Sequence, residues 1–218
     1  MRWVGGTGSP ARVWPAADML QGATSVAGRI GPNAITRVVE ALGARHGELA
    51  AADCLRAAGL AAFTVQAPVD MVSEDHVAVL QAYLYGALDA DDRVATMREA
   101  GRLTGDYLLS NRIPKLAQAV LKRLPAGVSG RVLAGAVARH AWTFAGSGQF
   151  MHASGRPLLV AIEHCPLCSR IASQGPVCDY YAATFERIFG ELTSRSCRVE
   201  EIECEGAGGA ACRFRIDF

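Results

Sequence analysis

Lysine is almost absent from this 218-residue chain: it has two, against twenty arginines. Alanine is abundant as well. Both biases reflect a GC-rich genome rather than a function. Net charge is also lacking. The formal balance is +1, so no global field draws in nucleic acid or an anionic membrane. No apolar run reaches the length of a membrane span. The first residues, MRWVGGTGSPARVWPAADML, lack the apolar core of a signal peptide. These absences point to a cytoplasmic protein with no nucleic-acid partner, and leave peripheral attachment to a membrane open.

Motifs of several enzyme classes are missing too. A dinucleotide-binding reductase carries G-x-G-x-x-G between a strand and a helix. The nearest cluster, Gly206-Ala207-Gly208-Gly209, lacks the third glycine and leads into a strand, so it reads as a hairpin turn. No Ser-His-Asp set or carboxylate pair stands out.

Cysteine, by contrast, is plentiful and localised. Six of seven lie in the last 54 residues: Cys165, Cys168, Cys178, Cys197, Cys204 and Cys212. An odd number excludes a fully paired disulfide framework. In the cytosol such a cluster points to metal or redox chemistry. Cys54 stands apart in the helical stretch AAADCLRAAG and reads as a small core residue.

Half of the residues are hydrophobic and a fifth are charged, which is a globular composition. Residues 1–30, with Trp3, Trp14 and several Gly and Pro, read as an irregular arm. Residues 31–218 read as one domain, with a helical part over 32–141 and a sheet part over 142–218. Pro32 suits a first helical turn, and Ile35, Val38, Val39 and Leu42 follow at helical spacing. Ser73 and Asp89 are N-cap candidates. The second opens a helix with the stripe Val94, Met97, Gly101, Thr104 and Leu108. Pro114 opens another helix. SGRVLAGAVARHA is a further one, with Val132, Ala136, Val137 and His140 on its apolar face.

After Trp142 the pattern changes. Two strands are predicted around a turn near Ser154 and Gly155. The loop CPLCSRIASQGP follows. An amphipathic helix then carries Tyr181, Phe185, Ile188, Phe189 and Leu192 on one side, and two strands close the chain. Helices first, then an antiparallel sheet crossed by one helix, is an α+β order rather than a doubly wound one.

The closing hairpin, EEIECEGAGGAACRFRIDF, sets Cys204 opposite Cys212, where facing Cβ atoms are about 5 Å apart. Cys178 opens the preceding helix and points inward. A helix N-terminus favours its thiolate form. Three thiolates and Glu201 would complete a tetrahedral Zn²⁺ shell. Glu201 and Cys204 are three apart, so they face one ion only if the strand bulges or ends there. The alternative is a pair of small buried thiols beside a solvated carboxylate.

These residues resemble the 4-vinyl-reductase domain family over residues 155–218. Its pattern is C-D-[FY]-x-A, then E-x-x-C, seven residues and C-x-[FIV]. The chain matches it with Cys178-Asp179-Tyr180-Tyr181-Ala182, Glu201-Ile202-Glu203-Cys204 and Cys212-Arg213-Phe214. The resemblance implies a structural zinc on Cys178, Glu201, Cys204 and Cys212. It also implies the α+β layer of TRAPP vesicle-tethering subunits, and a homodimer. SGRPLLVAIEHCPLC and the helical first half extend it to a family of bacteriochlorophyll-synthesis proteins. That implies a carrier for a magnesium tetrapyrrole, working beside the enzymes of the pathway. A reductase of the 8-vinyl group and an assembly factor that binds no pigment are the alternatives.

A tetrapyrrole needs a large apolar site and an axial ligand. His140 and His152 are the candidates, with Trp142 and Phe144 to stack on the ring. His46 and His76 lie among charged neighbours and read as exposed. Cys165-Pro166-Leu167-Cys168 is either a structural turn or a redox or second metal site, the latter with His164 and Cys197.

Overall fold

The computed structural model describes Leu20–Gln21 and residues 28–218. The expected arm over 1–30, with Trp3 and Trp14, falls mostly outside the described residues. In chain order the elements are β1 (Leu20–Gln21), β2 (Arg29–Ile30), α1 (Asn33–His46), α2 (Glu48–Ala57), α3 (Ala62–Val65), β3 (Val72–Ser73), α4 (Glu74–Ala87), α5 (Ala90–Asn111), α6 (Lys115–Leu121) and α7 (Ala126–Arg139). Then follow β4 (Gln149–Ala153), β5 (Leu158–Glu163), α8 (Asp179–Leu192), β6 (Arg198–Glu203) and β7 (Cys212–Asp217). The class is α+β, as the order of elements predicted.

Local chemistry sets the helix starts. Ser73 Oγ accepts from the Asp75 N–H at 3.3 Å, and Asp89 Oδ1 from that of Asp92 at 2.9 Å. Each satisfies a donor that a helix leaves unpaired in its first turn. Pro32 precedes α1 and Pro125 precedes α7.

Five strands form an antiparallel sheet in the order β1-β4-β5-β7-β6, while β2 and β3 make a short separate ribbon. The helix α8 lies between this sheet and α5, and α1 packs on the far side of α5. Toward the sheet, Phe185 meets Phe214 edge-on with ring centroids 5.4 Å apart, and Phe150 at 6.1 Å. Toward α5, Thr104 Oγ1 and Tyr180 Oη share a hydrogen bond of 2.8 Å. Packing on both sides buries Tyr180 and Thr184 as well as the apolar side that the spacing predicted.

Close approach of α5 and α8 requires glycine. A Cβ on Gly101 would stand 2.3 Å from the Tyr180 carbonyl oxygen, and one on Gly105 would stand 2.6 Å from Arg187 Cβ. Thr184 Oγ1 then reaches the Gly101 carbonyl at 3.1 Å.

One predicted face loses a residue and another is corrected. In α5 the buried set is Thr96, Met97, Ala100, Gly101, Thr104, Gly105 and Leu109, with Val94 outside it. The closest contact to α8 runs along Gly101, which the stripe included, and Gly105, which it did not. In α7 the buried residues are Ser129, Gly130, Leu133, Ala134 and Ala138, while Val132 and His140 are exposed. Ser129 Oγ donates to the Leu192 carbonyl at 3.0 Å, and Gly130 lies against the Phe218 ring. These two small residues turn the helix away from the face that its valines suggested.

Gly101→Ala should therefore lower stability by about 1–3 kcal/mol, the usual cost of overpacking. Urea denaturation against the parent chain measures it. A loss no larger than that of a Gly175→Ala control, where an added Cβ meets nothing within 4 Å, would show that α5 and α8 can separate cheaply.

Candidate metal centre

Three segments bring six donor side chains to one place. The helix α8 contributes Cys178 as its N-cap residue. The β6–β7 hairpin contributes Glu201, Cys204 and Cys212. The loop after β5 contributes Cys165 and Cys168. All six are buried. Among the described residues no cysteine is in a disulfide.

The spacing problem at Glu201 is resolved in the strand. The β6–β7 register shifts between Glu201 and Glu203, and β6 ends at Glu203. An irregularity of this kind turns residues three apart toward one side. Past Cys204 the chain makes one 3-10 turn, Glu205–Ala207, and reverses at Gly208, whose φ of 85° suits glycine. Cys204 and Cys212 Sγ then lie 3.9 Å apart, and Cys178 and Cys212 Sγ 3.6 Å apart.

Glu201 is 9% exposed. Its Oε2 accepts from the Cys178 N–H at 2.7 Å, and its Oε1 is buried with no hydrogen-bond partner. Burial, and then the adjacent Cys204 thiol, push its pKa up to about 8. An orphaned carboxylate oxygen is costly in the interior unless a proton or a cation meets it. The ligand atoms of Cys178, Glu201, Cys204 and Cys212 all lie within 4.8 Å of one another. A tetrahedral zinc with Zn–S bonds of about 2.3 Å spaces its sulfurs by about 3.8 Å. The donor types and spacings fit such an ion.

The Cys165–Cys168 loop is held by Glu205, which no sequence motif singled out. Its carboxylate accepts from the His164 N–H at 2.7 Å and the Cys165 N–H at 2.6 Å. His164 adopts a positive φ of 53°, uncommon for a residue with a side chain. Its ring is exposed. Cys197 does not join this loop: it precedes β6, whereas Cys204 follows it. Six strand residues separate them by about 20 Å. The proposed partnership of Cys165 and Cys168 with His164 and Cys197 is thus replaced by one with Cys178 and Cys212.

The four residues considered for a pigment have different surroundings. His140 is exposed at the end of α7, with Nδ1 2.9 Å from the Ala136 carbonyl. Trp142 is half-buried. Phe144 packs edge-on against Phe150, Tyr181 and Phe185. His152 is buried in β4, and neither ring nitrogen has a hydrogen-bond partner.

Two surface grooves lie elsewhere. One, of about 780 Å³, runs between α5 and α8 and is rich in charge, with Arg98, Arg102, Glu186, Arg187 and Glu191. The other, of about 590 Å³, lies between α3, the β2–β3 ribbon and α4. Phe63, Pro68, Val69, Met71 and His76 line it, with Arg29. The Phe63 and His76 rings meet edge-on with centroids 5.4 Å apart. Among the described residues no helix is long and apolar enough to cross a membrane.

The fold and this donor cluster define an α+β protein ending in a V4R domain, whose family model matches residues 158–218. Over 197 residues the chain is 42% identical to the bacteriochlorophyll synthase 23 kDa chain of Cereibacter sphaeroides, covering 90% of this chain and 94% of the relative. The protein of the same description from Rhodobacter capsulatus is 41% identical over 188 residues, 85% of each chain. An uncharacterized protein of Methanocaldococcus jannaschii is 27% identical over 64 residues, 29% of this chain and 35% of its own. The chain belongs to the family of the bacteriochlorophyll synthase 23 kDa chain.

Two outcomes follow from this geometry. Glu205→Ala removes both acceptors of the His164 and Cys165 amides. It should cost about 1–3 kcal/mol, and hydrogen exchange should quicken at residues 164–168 before it does in α8. Burial holds the His152 pKa below its usual value, so the folded chain keeps this ring neutral while the unfolded chain protonates it. The His152 contribution is intact above about pH 6.5 and is lost as pH falls below it, by at most about 1.4 kcal/mol per unit. Urea midpoints at pH 7.5 and 5.5 should fall further for the parent than for His152→Phe.

Proposed function

We propose that the chain is a zinc-stabilised carrier of a magnesium tetrapyrrole in bacteriochlorophyll synthesis, acting beside the enzymes of that pathway as a homodimer. The observation that carries this reading is 42% identity, over nearly its full length, to a chain named for bacteriochlorophyll synthase. The zinc sits on Cys178, Glu201, Cys204 and Cys212. Bound there, it neutralises the buried carboxylate and ties α8 to the closing hairpin, a structural role with no open position. Cys178 and Cys212 anchor it from either side, and the Cys178 N–H orients Glu201.

The pigment reading is best supported at the groove beside His76. Its volume of about 590 Å³ lies within the usual range for small-molecule sites, and its lining is mostly apolar. Val69 is 78% exposed there and Val65, close by in sequence, 90%, apolar surface that a flat macrocycle would cover. His76 supplies an imidazole for axial contact with the magnesium. Arg29 supplies a cation for a carboxylate arm. Binding at Phe144 instead would require opening its contacts with Phe150, Tyr181 and Phe185. The notable signal missed in the sequence is that His76, although flanked by charged residues, follows the largely apolar stretch Pro68-Val69-Asp70-Met71-Val72.

Titration with the divinyl magnesium-porphyrin precursor, followed by absorbance, tests the carrier. A shifted Soret band with unchanged pigment mass after NADPH is added is the expected result. His76→Ala should weaken binding about tenfold. A gain of two hydrogens would make the chain a vinyl reductase, and no shift would favour an assembly factor. For the zinc, Cys204→Ser with Cys212→Ser should lower both metal content and Tm. Unchanged metal content would overturn the assignment.

A further inference from the structure

The donor cluster is larger than one ion needs. Two sets of four satisfy the same spacing: Cys178, Glu201, Cys204 and Cys212, and Cys165, Cys168, Cys178 and Cys212. They have two members in common, Cys178 and Cys212. Resting on the zinc reading above, we propose that the cluster holds two zinc ions bridged by the thiolates of Cys178 and Cys212. Glu201 and Cys204 complete one shell, and Cys165 and Cys168 complete the other.

The count of donors is what two such ions require. Two separate tetrahedral shells need eight ligand positions. Six side chains fill eight positions when two of them serve both ions. Here the two shared members are neighbours, with Sγ atoms 3.6 Å apart, so they can form the common edge of two tetrahedra. On the additional side, Cys165 Sγ lies 3.8 Å from Cys178 Sγ, and Cys168 Sγ lies 3.4 Å from Cys212 Sγ. These separations lie at or within about 0.4 Å below the roughly 3.8 Å edge of a zinc–thiolate tetrahedron. Cys165 and Cys168 are also fully buried, so they face the cluster and not solvent.

The supporting loop is built to hold them there. Glu205 fixes the amides of His164 and Cys165. Ile171 N–H returns to the Cys168 carbonyl at 2.9 Å, and Ser173 N–H to that of Gly206 at 2.7 Å. A Cβ on Gly206 would come within 3.2 Å of Cys168 Cβ and 3.3 Å of the Ile171 carbonyl oxygen. The hairpin bearing Cys204 and Cys212 is thus pressed directly against the loop bearing Cys165 and Cys168. A C-x-x-C turn that only reversed the chain would need neither the tether nor the contact.

Native mass spectrometry of the full chain purified with zinc should give two ions per chain. Cys165→Ser with Cys168→Ser should give one. Because that variant could misfold, the parent chain loaded with ¹¹³Cd supplies an independent reading. Two resonances split by mutual coupling are expected for ions joined through shared thiolates. Zinc absorption spectra should add a zinc–zinc path of about 3 Å, from Zn–S bonds of about 2.3 Å across the shared edge. One zinc per chain that persists in the Cys165/Cys168 variant overturns the pair and leaves the Glu201 site standing. One zinc lost in that variant but kept in Glu201→Gln overturns both, placing a single ion on four thiolates. No zinc at all overturns both as well.

Discussion

A carboxylate and five thiols buried together at the N-terminus of α8 constrain this protein more than any other feature. A buried carboxylate without a cation is costly, and Glu201 keeps one oxygen with no partner. Its other oxygen takes the first amide of the helix region, where the helix dipole favours negative charge. The donors come from a loop, a helix and a hairpin separated along the chain. Whatever charge compensates them therefore joins three segments that backbone hydrogen bonds alone connect only in part. The proposed zinc pair does this with two shared thiolates at the crossing point.

The rest of the domain positions that point. The sheet presents Cys212 at the start of β7, its interior strand next to β6. Packing of α8 on both sheet and α5 fixes where Cys178 falls. The glycine pair of α5 lets the two helices touch backbone to side chain, so α8 cannot slide without losing the Thr184 and Tyr180 bonds. The aromatic cluster of Phe144, Phe150, Tyr181, Phe185 and Phe214 fills the space beneath, and Tyr181 Oη donates to the Phe144 carbonyl at 2.6 Å. The loop bearing Cys165 and Cys168 reaches the helix that carries His76 through a surface ion pair, Arg170 to Asp75 at 2.9 Å.

Much of this was legible from residues alone, and for stated reasons. Ser73 and Asp89 mark helix starts because their side chains are short acceptors that compete for backbone donors. Tyr181, Phe185, Ile188, Phe189 and Leu192 mark the buried side of α8 because their spacing matches 3.6 residues per turn. The need for a bulge between Glu201 and Cys204 followed from strand alternation, and the register shift is there. The face of α7 was misread for the converse reason: its tightest contacts are made by Ser129 and Gly130, which carry little or no hydrophobic signal, whereas on α5 only Val94 of the expected stripe is exposed.

By itself the sequence determined the α+β order, the caps and the apolar side of α8, since each depends on residues near one another in the chain. Only the tertiary structure decided that Cys165 and Cys168 meet Cys178 and Cys212 rather than Cys197. That choice depends on the direction of β6, which carries Cys197 and Cys204 to opposite ends. It likewise decided that Phe144 lies in a packed aromatic cluster while His76 lines a groove, because burial is set by what the folded chain lays over a residue and not by its neighbours in sequence.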